Sequence, residues 1–241
     1  MKLRALLFDV DGTLADTERD AHRPAFNTAF REAGLPWDWD EILYGELLAV
    51  TGGKERIVHY AQQYDPERAA ASDFDALVKR LHAAKTGYYL QYVDTGRVPL
   101  RPGVSELIQA AIDAGLTLAI VTTTSLENVR SLLSATLPKH WQDAFSLIAA
   151  GDIVPAKKPA PDIYLYTLQA LELPAAACIA IEDSENGLRS SADAGITTVA
   201  TPNDYTVGQD FGRAAATYPD LSKLGIGDLQ KILRAANNDR T

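Results

Sequence analysis

Hydrophobic positions along this chain follow two different rhythms. Residues 3–8 form a nearly unbroken apolar run, the pattern of a strand buried on both faces. Residues 23–33, 40–50, 54–63 and 74–92 instead carry apolar side chains at helical spacing, and no convincing strand interrupts them. Short apolar runs return at 116–121, 146–149, 178–181 and 197–200. Helical stretches at 104–114, 126–137, 162–171 and 187–194 separate or follow them. Strands alternating with helices predict parallel βα units in an α/β fold, a doubly wound sheet carrying an inserted all-helical domain. The expected division is 1–16 plus 94–241 for the core and 17–93 for the insertion. Pro102-Gly103 marks re-entry into the core, and Gly115 falls just past the helix that follows. The polar tail 237–241 is expected to be frayed.

The polar residues that end these strands change the picture. Asp9-Val10-Asp11-Gly12-Thr13 follows the first strand. Two carboxylates at i and i+2 on a strand point the same way, and Gly12 permits a sharp turn. The expectation is two acids presented together at a strand's carboxyl end, where open α/β sheets bind ligands. Burying such a pair calls for a cation or a functional reason. The run at 116–121 leads into Thr122-Thr123-Thr124-Ser125, hydroxyls and backbone N–H groups ahead of a helix that suit an anion. Beyond the third run lies Lys157-Lys158-Pro159, a point charge suited to phosphate. The fourth ends in a second acidic pair, Glu182-Asp183.

Composition narrows the class. The chain has 241 residues, 46% hydrophobic and 23% charged. At ~150 residues per domain, that is one large domain or two modest ones, able to bury a core without staples. The single cysteine, Cys178, permits no internal disulfide and sits in an apolar run, so it is assigned to the core. A net charge of −9 disfavours nucleic acid and anionic membrane as partners. No signal-peptide pattern is visible, and no apolar run approaches the ~20 residues of a membrane span. A cytoplasmic, monomeric enzyme is expected.

Taken together, the four strand-end signatures resemble those of the haloacid dehalogenase superfamily of phosphohydrolases, over essentially the whole chain. The resemblance implies a Rossmann-like core with a helical cap. It implies Asp9 as the nucleophile that forms an aspartyl-phosphate, and Asp11 as the acid and base. It places Mg²⁺ on the Asp9 carboxylate, the Asp11 backbone carbonyl and the Asp183 carboxylate. Thr122 would bind the phosphoryl oxygens, with Thr123 rather than Thr124 as the second contact. Lys158 would neutralise the phosphoryl group and orient Asp9, while Lys157 faces solvent. Glu182 would support the metal waters or Lys158 from one step back.

Cap segments look like a narrower group, the CbbY-type xylulose-1,5-bisphosphate phosphatases, which remove a Rubisco-inhibiting by-product of the Calvin cycle. The matching stretches are Asp16 to Arg23, Leu43 to Leu48, Gly52-Gly53-Lys54-Glu55-Arg56, and Leu81-His82 with Lys85-Thr86. On that resemblance, Glu18, Gly52, Gly53, Lys54, Arg56, His82 and Lys85 contact a small phosphorylated sugar, beneath a cap that closes over it. Bland readings stand beside these. Glu18 fits an exposed helix start, the glycines a plain loop, and His82 with Lys85 a solvated helix face. His22 and Tyr44 fit either a cleft lining or ordinary packing, and Trp37 and Trp39 are assigned to the cap core.

Other activities are weighed on the same residues. A dehalogenase has no need of Asp11, and a phosphonatase would lack it. A β-phosphoglucomutase-like mutase uses both acids and stays open, as does a phosphoglycolate-type phosphatase. A phospho-receiver-like binding module also builds an Asp–Mg²⁺–Thr–Lys site, but with its acceptor on a middle strand and no inserted cap.

Overall fold

The computed structural model describes residues 2–238. The chain divides into two compact units, residues 1–16 with 99–241, and residues 17–98.

The first unit is built on one six-stranded parallel sheet. Its strands are β1 (Ala5–Phe8), β2 (Thr117–Thr122), β3 (Phe145–Ala150), β4 (Cys178–Glu182), β5 (Thr197–Ala200) and the two-residue β6 (Ala216–Thr217), in the order β3-β2-β1-β4-β5-β6. Every pairing is parallel. Leu7 pairs with Ala119 on one side and Ala180 on the other, so β1 is central. From β1 the strand order runs outward in both directions. The carboxyl end of β1 is therefore the switch point where doubly wound sheets bind ligands.

The five expected strands form, with small shifts in their ends. Regular pairing starts at Ala5 rather than Leu3, because Leu3 N–H goes to Gln230 Oε1 and Arg4 N–H to the Ala177 carbonyl. Helices Val104–Asp113, Leu126–Thr136, Asp162–Leu171 and Glu185–Asp193 pack against the sheet, as the βα alternation implies. The core beside the third of these gathers Leu7, Val121, Ile163, Tyr164, Cys178 and Ala180. Cys178 is buried there, and burial pushes its thiol up to about 11, far from a nucleophile's range.

Sequence reasoning missed β6 and the C-terminal helix Ile226–Asn238. That helix buries Leu229 and Leu233, and Asn237 Nδ2 donates to the Ala176 carbonyl at 3.0 Å. The expected frayed tail is thus corrected for Asn237 and Asn238, which are helical; residues 239–241 lie outside the described residues.

The second unit is helical throughout. A π-helical segment, Glu18–His22, runs directly into α1 (Arg23–Glu32), followed by α2 (Glu41–Leu47), α3 (Gly53–Tyr64), α4 (Pro66–Ala69) and α5 (Phe74–Asp94). Asp40 caps α2 by accepting from Leu43 N–H, and Asp65 caps α4 by accepting from Arg68 N–H. Gly52, at φ +103, turns the chain into α3. Phe26, Phe30, Trp37, Trp39 and Tyr60 form one aromatic cluster with centroid separations of 4.7–5.9 Å. Trp37 and Trp39 are buried in it, as expected. The unit ends at Val98 rather than 93, because α5 continues to Asp94 and Val98 is itself buried. Among the described residues, no helix is long and apolar enough to cross a membrane.

Candidate active site

β1 ends at Phe8, yet Asp9 keeps one further ladder contact, its N–H donating to the Ile181 carbonyl at 3.1 Å. The chain then turns, with Thr13 and Leu14 N–H groups both reaching the Val10 carbonyl. Asp9 is buried and Asp11 only half-buried. Asp11 lies past the end of β1, bridged to Ala15 where the turn begins, and is the more open of the two acids. Gly12, at φ +86, is the residue on which the turn depends. A Cβ there would stand 2.3 Å from Asp183 Oδ2 and 2.4 Å from Asn203 Nδ2.

Lys158 is buried against Asp9. Its Nζ lies 2.7 Å from Asp9 Oδ1, 2.7 Å from Glu182 Oε1 and 2.8 Å from the Val121 carbonyl. Those acceptors match the three protons of an ammonium group. Glu182 Oε1 also accepts from the Tyr164 hydroxyl. Lys157 is half-exposed and pairs with Asp152 at 3.2 Å.

Thr122 closes β2 and is buried, its hydroxyl accepting from Thr124 N–H at 3.3 Å. Thr123 is half-buried beside it. Thr124 and Ser125 serve the next helix: Thr124 Oγ1 accepts from Asn128 Nδ2 and Ser125 Oγ from Asn128 N–H. The strand end therefore divides between residues open to a ligand role and residues spent on capping.

Asp183, just past β4, accepts from Asn203 Nδ2 at 2.7 Å and from Thr13 Oγ1 at 3.4 Å. Carboxylate oxygens of Asp9, Glu182 and Asp183 lie within 4.8 Å of one another, and all three residues are buried. Three buried acids face two cations, Lys158 and, toward Asp183, Arg101, so the acids outnumber the cations. Burial pushes Asp9 up to about 7, with Glu182 and Asp11 adding to it and Lys158 opposing. Burial also raises Asp183 well above its ordinary value, with Asp9 and Glu182 reinforcing it and Arg101 and Lys158 opposing. Burial alone would lower Lys158, but Asp9 and Glu182 carry it above its ordinary value. A hard divalent cation suits such a site, where oxygen donors converge and positive charge is deficient.

The helical unit holds a separate set of polar contacts. Arg56 is buried. Its Nε donates to the Leu47 carbonyl at 3.1 Å, Nη1 to Tyr44 Oη at 3.0 Å and Nη2 to the Val50 carbonyl at 3.4 Å. Tyr44 in turn donates to Glu18 Oε2, and Arg56 Nη1 stands 3.9 Å from that same oxygen. Glu18 is thus a held carboxylate, which corrects the exposed-helix-start reading: the Tyr44 hydroxyl holds it, and Arg56 braces Tyr44. Lys85 is buried too, 2.5 Å from His22 Nδ1 and 5.0 Å over the Phe26 ring, so the solvated-face reading fails for it. His82 is half-buried. Burial pushes it down to about 4, and Lys85 and Lys54 add to the effect. Gly53 lies against the His82 ring, a Cβ there coming within 3.0 Å of Cδ2. Gly52 makes the left-handed turn before it, and Lys54 is exposed.

Comparison with known proteins agrees with this geometry. The sequence profile of a family described as haloacid dehalogenase-like hydrolase matches residues 3–195. The chain belongs to that family. Within it, the chain is of CbbY type. It is 49% identical to the plasmid-borne Protein CbbY of Cupriavidus necator over 219 residues, covering 91% of this chain and 86% of the relative. It is 50% identical to Protein CbbY of Rhodobacter capsulatus over 222 residues, covering 92% and 95%. A crystal structure of an aspartate-to-asparagine mutant of CbbY from Rhodobacter sphaeroides, in complex with xylulose 1,5-bisphosphate, superposes with a TM-score of 0.86. It has 41% identity and covers 95% of this chain and 99% of that one.

Three residues of this haloacid dehalogenase-like hydrolase escaped sequence reasoning. Asn203 follows β5 and braces Asp183, but an asparagine in a polar loop reads as a turn former. Arg101 is buried and donates to the carbonyls of Gly12, Thr201 (2.7 Å), Pro202 (2.9 Å) and Pro219 (3.1 Å). Its position beside Pro102-Gly103 was the only available signal. Tyr164 lies in an apolar helix pattern and reads as core.

Proposed function

We propose that this hydrolase is a Mg²⁺-dependent sugar-phosphate phosphatase working through Asp9. The observation that carries the reading is the buried Lys158 ammonium 2.7 Å from Asp9 Oδ1, at the switch point of the sheet and within reach of Asp183. Lys158 holds the Asp9 carboxylate in one orientation. Asp9 then attacks phosphorus, forming an O–P bond as the ester P–O bond breaks. Asp11, in the more open turn, gives a proton to the departing alkoxide. It later takes one from the water that hydrolyses the aspartyl-phosphate. Thr122 and Thr123 offer hydroxyls and N–H groups to the phosphoryl oxygens. Glu182 holds Lys158. Mg²⁺, held by the Asp9 and Asp183 carboxylates and the Asp11 carbonyl, would supply positive charge between an anionic nucleophile and an anionic phosphate.

The substrate we propose is xylulose 1,5-bisphosphate. Identity of 41% to a CbbY crystallised with that ligand supports it. Sugar recognition is assigned to the helical unit, through Glu18, Gly52, Gly53, Lys54, Arg56, His82 and Lys85, with Tyr44 holding Glu18. The test is a panel of sugar mono- and bisphosphates at fixed Mg²⁺, with kcat/KM measured for each. Xylulose 1,5-bisphosphate is expected among the best. A poor rank for it overturns the substrate assignment while leaving the phosphatase chemistry standing.

A further inference from the structure

We propose that Tyr164 is a positioning residue for the Lys158–Asp9 pair, acting through Glu182. The inference rests on the phosphatase reading above and goes beyond it, since Tyr164 lies outside the four strand-end signatures. Glu182 is fully buried. Its Oε1 accepts from both Tyr164 Oη and Lys158 Nζ. Its Oε2 has no hydrogen-bond partner among the described residues and lies against Gly187, where a Cβ would come within 1.8 Å. Two donors on one oxygen and a glycine wall behind the other therefore set the orientation of this carboxylate.

That orientation is passed on. The ammonium of Lys158 is tetrahedral, so the direction of its N–H toward Glu182 constrains the direction of its N–H toward Asp9. The Tyr164 hydroxyl draws negative charge at Oε1 toward itself. Removing it leaves Lys158 as the sole donor to that oxygen. Lys158 is then pulled toward Glu182 and its hold on Asp9 loosens. Ring packing would survive the loss, because the Lys158 ammonium also sits 5.3 Å over the Tyr164 ring and the side chain is fully buried. Tyr164→Phe is thus a selective probe, removing one hydrogen bond to a charged acceptor.

The experiment compares wild type, Y164F, E182Q and the double variant as full chains with Mg²⁺, measuring kcat, KM and Tm on the best phosphate ester of the panel. Y164F is expected to lower kcat roughly tenfold, the scale of a hydrogen bond to a charged group, with KM within about twofold. In the E182Q background the same substitution is expected to lower kcat less than about twofold, because the group it acts through is already neutral. A merely structural hydroxyl would give equal losses in both backgrounds, and that result overturns the proposal. So does a Y164F enzyme with the kcat of wild type. Failure of wild type to release phosphate from any ester would instead overturn the phosphatase reading, and this inference with it.

Discussion

Asn203 Nδ2 stands 2.7 Å from Asp183 Oδ2, while its own N–H is fixed by the Thr206 hydroxyl at 2.9 Å. A loop beyond β5 thereby aims a carboxylate that belongs to the end of β4. Partners of this kind typically govern metal affinity by 10–100-fold. Asn203→Ala is expected to weaken Mg²⁺ and Mn²⁺ binding at least roughly tenfold, read by isothermal titration calorimetry without substrate. Equal affinities in variant and wild type would show that the turn at Gly12 and Thr13 holds Asp183 alone.

Asp9→Asn is expected to abolish the phosphoryl-enzyme, seen by intact-protein mass after rapid mixing with substrate. The amide keeps the shape and gives up the nucleophile. Full turnover by this variant in the presence of chelator would sink the mechanism.

Gly187→Ala tests the wall behind Glu182. A methyl group 1.8 Å from Oε2 must displace the carboxylate or the helix that carries Gly187. We expect a stability loss of about 1–3 kcal/mol, as for other overpacked sites, in chemical denaturation. The same variant should lose kcat more than it gains KM, because the displaced group orients Lys158.

His82 gives the helical unit a pH dependence. Its folded pKa of about 4 lies below the ordinary 6.5, first through burial and then through Lys85, Lys54 and His22, with Glu55 opposing. Between those values the unfolded chain binds the extra proton, so stability is complete above about 6.5 and declines as pH falls toward about 4. Tm measured across that window should fall less steeply in His82→Gln than in wild type. Parallel curves would show that His82 contributes nothing to the acid sensitivity.

Trp39→Ala is expected to cost about 3–5 kcal/mol, because Trp39 is fully buried and packs on Phe26, Phe30, Tyr44 and Tyr60. Denaturant unfolding followed by fluorescence would measure it. A loss below about 1 kcal/mol would mean the cluster closes around the gap.

Much of this architecture is readable from local pattern. Continuous apolar runs between helical stretches could only be parallel strands, and the reactive side chains at their ends follow from that placement. Legibility fails where tertiary contact outweighs local sequence. Asp11 was placed on a strand because alternation was extended past Phe8, where regular pairing ends. Lys85 was weighed against a solvated helix face and Arg56 as an anion-binding cation in a glycine turn; an aromatic box buries the first, and backbone carbonyls and Tyr44 engage the second. Tyr164 and Asn203 carry no local mark at all, since their partners lie 18 and 20 residues away in sequence. The C-terminal helix went unread although its apolar spacing at Leu229 and Leu233 was available.

Ala15 and Leu100 form an antiparallel bridge, and Arg101 N–H reaches the Leu14 carbonyl at 2.8 Å. The chain thus leaves the sheet-bearing unit and returns to it at one spot, already stitched by backbone bonds. For engineering, that makes residues 17–98 an exchangeable cassette. A short turn joining the two sides would span almost no distance, and closing it would cost little more entropy as the inserted segment lengthens or shrinks. Variation in the helical segment can therefore proceed without redrawing the strand order that sets Asp9, Lys158 and Asp183 side by side.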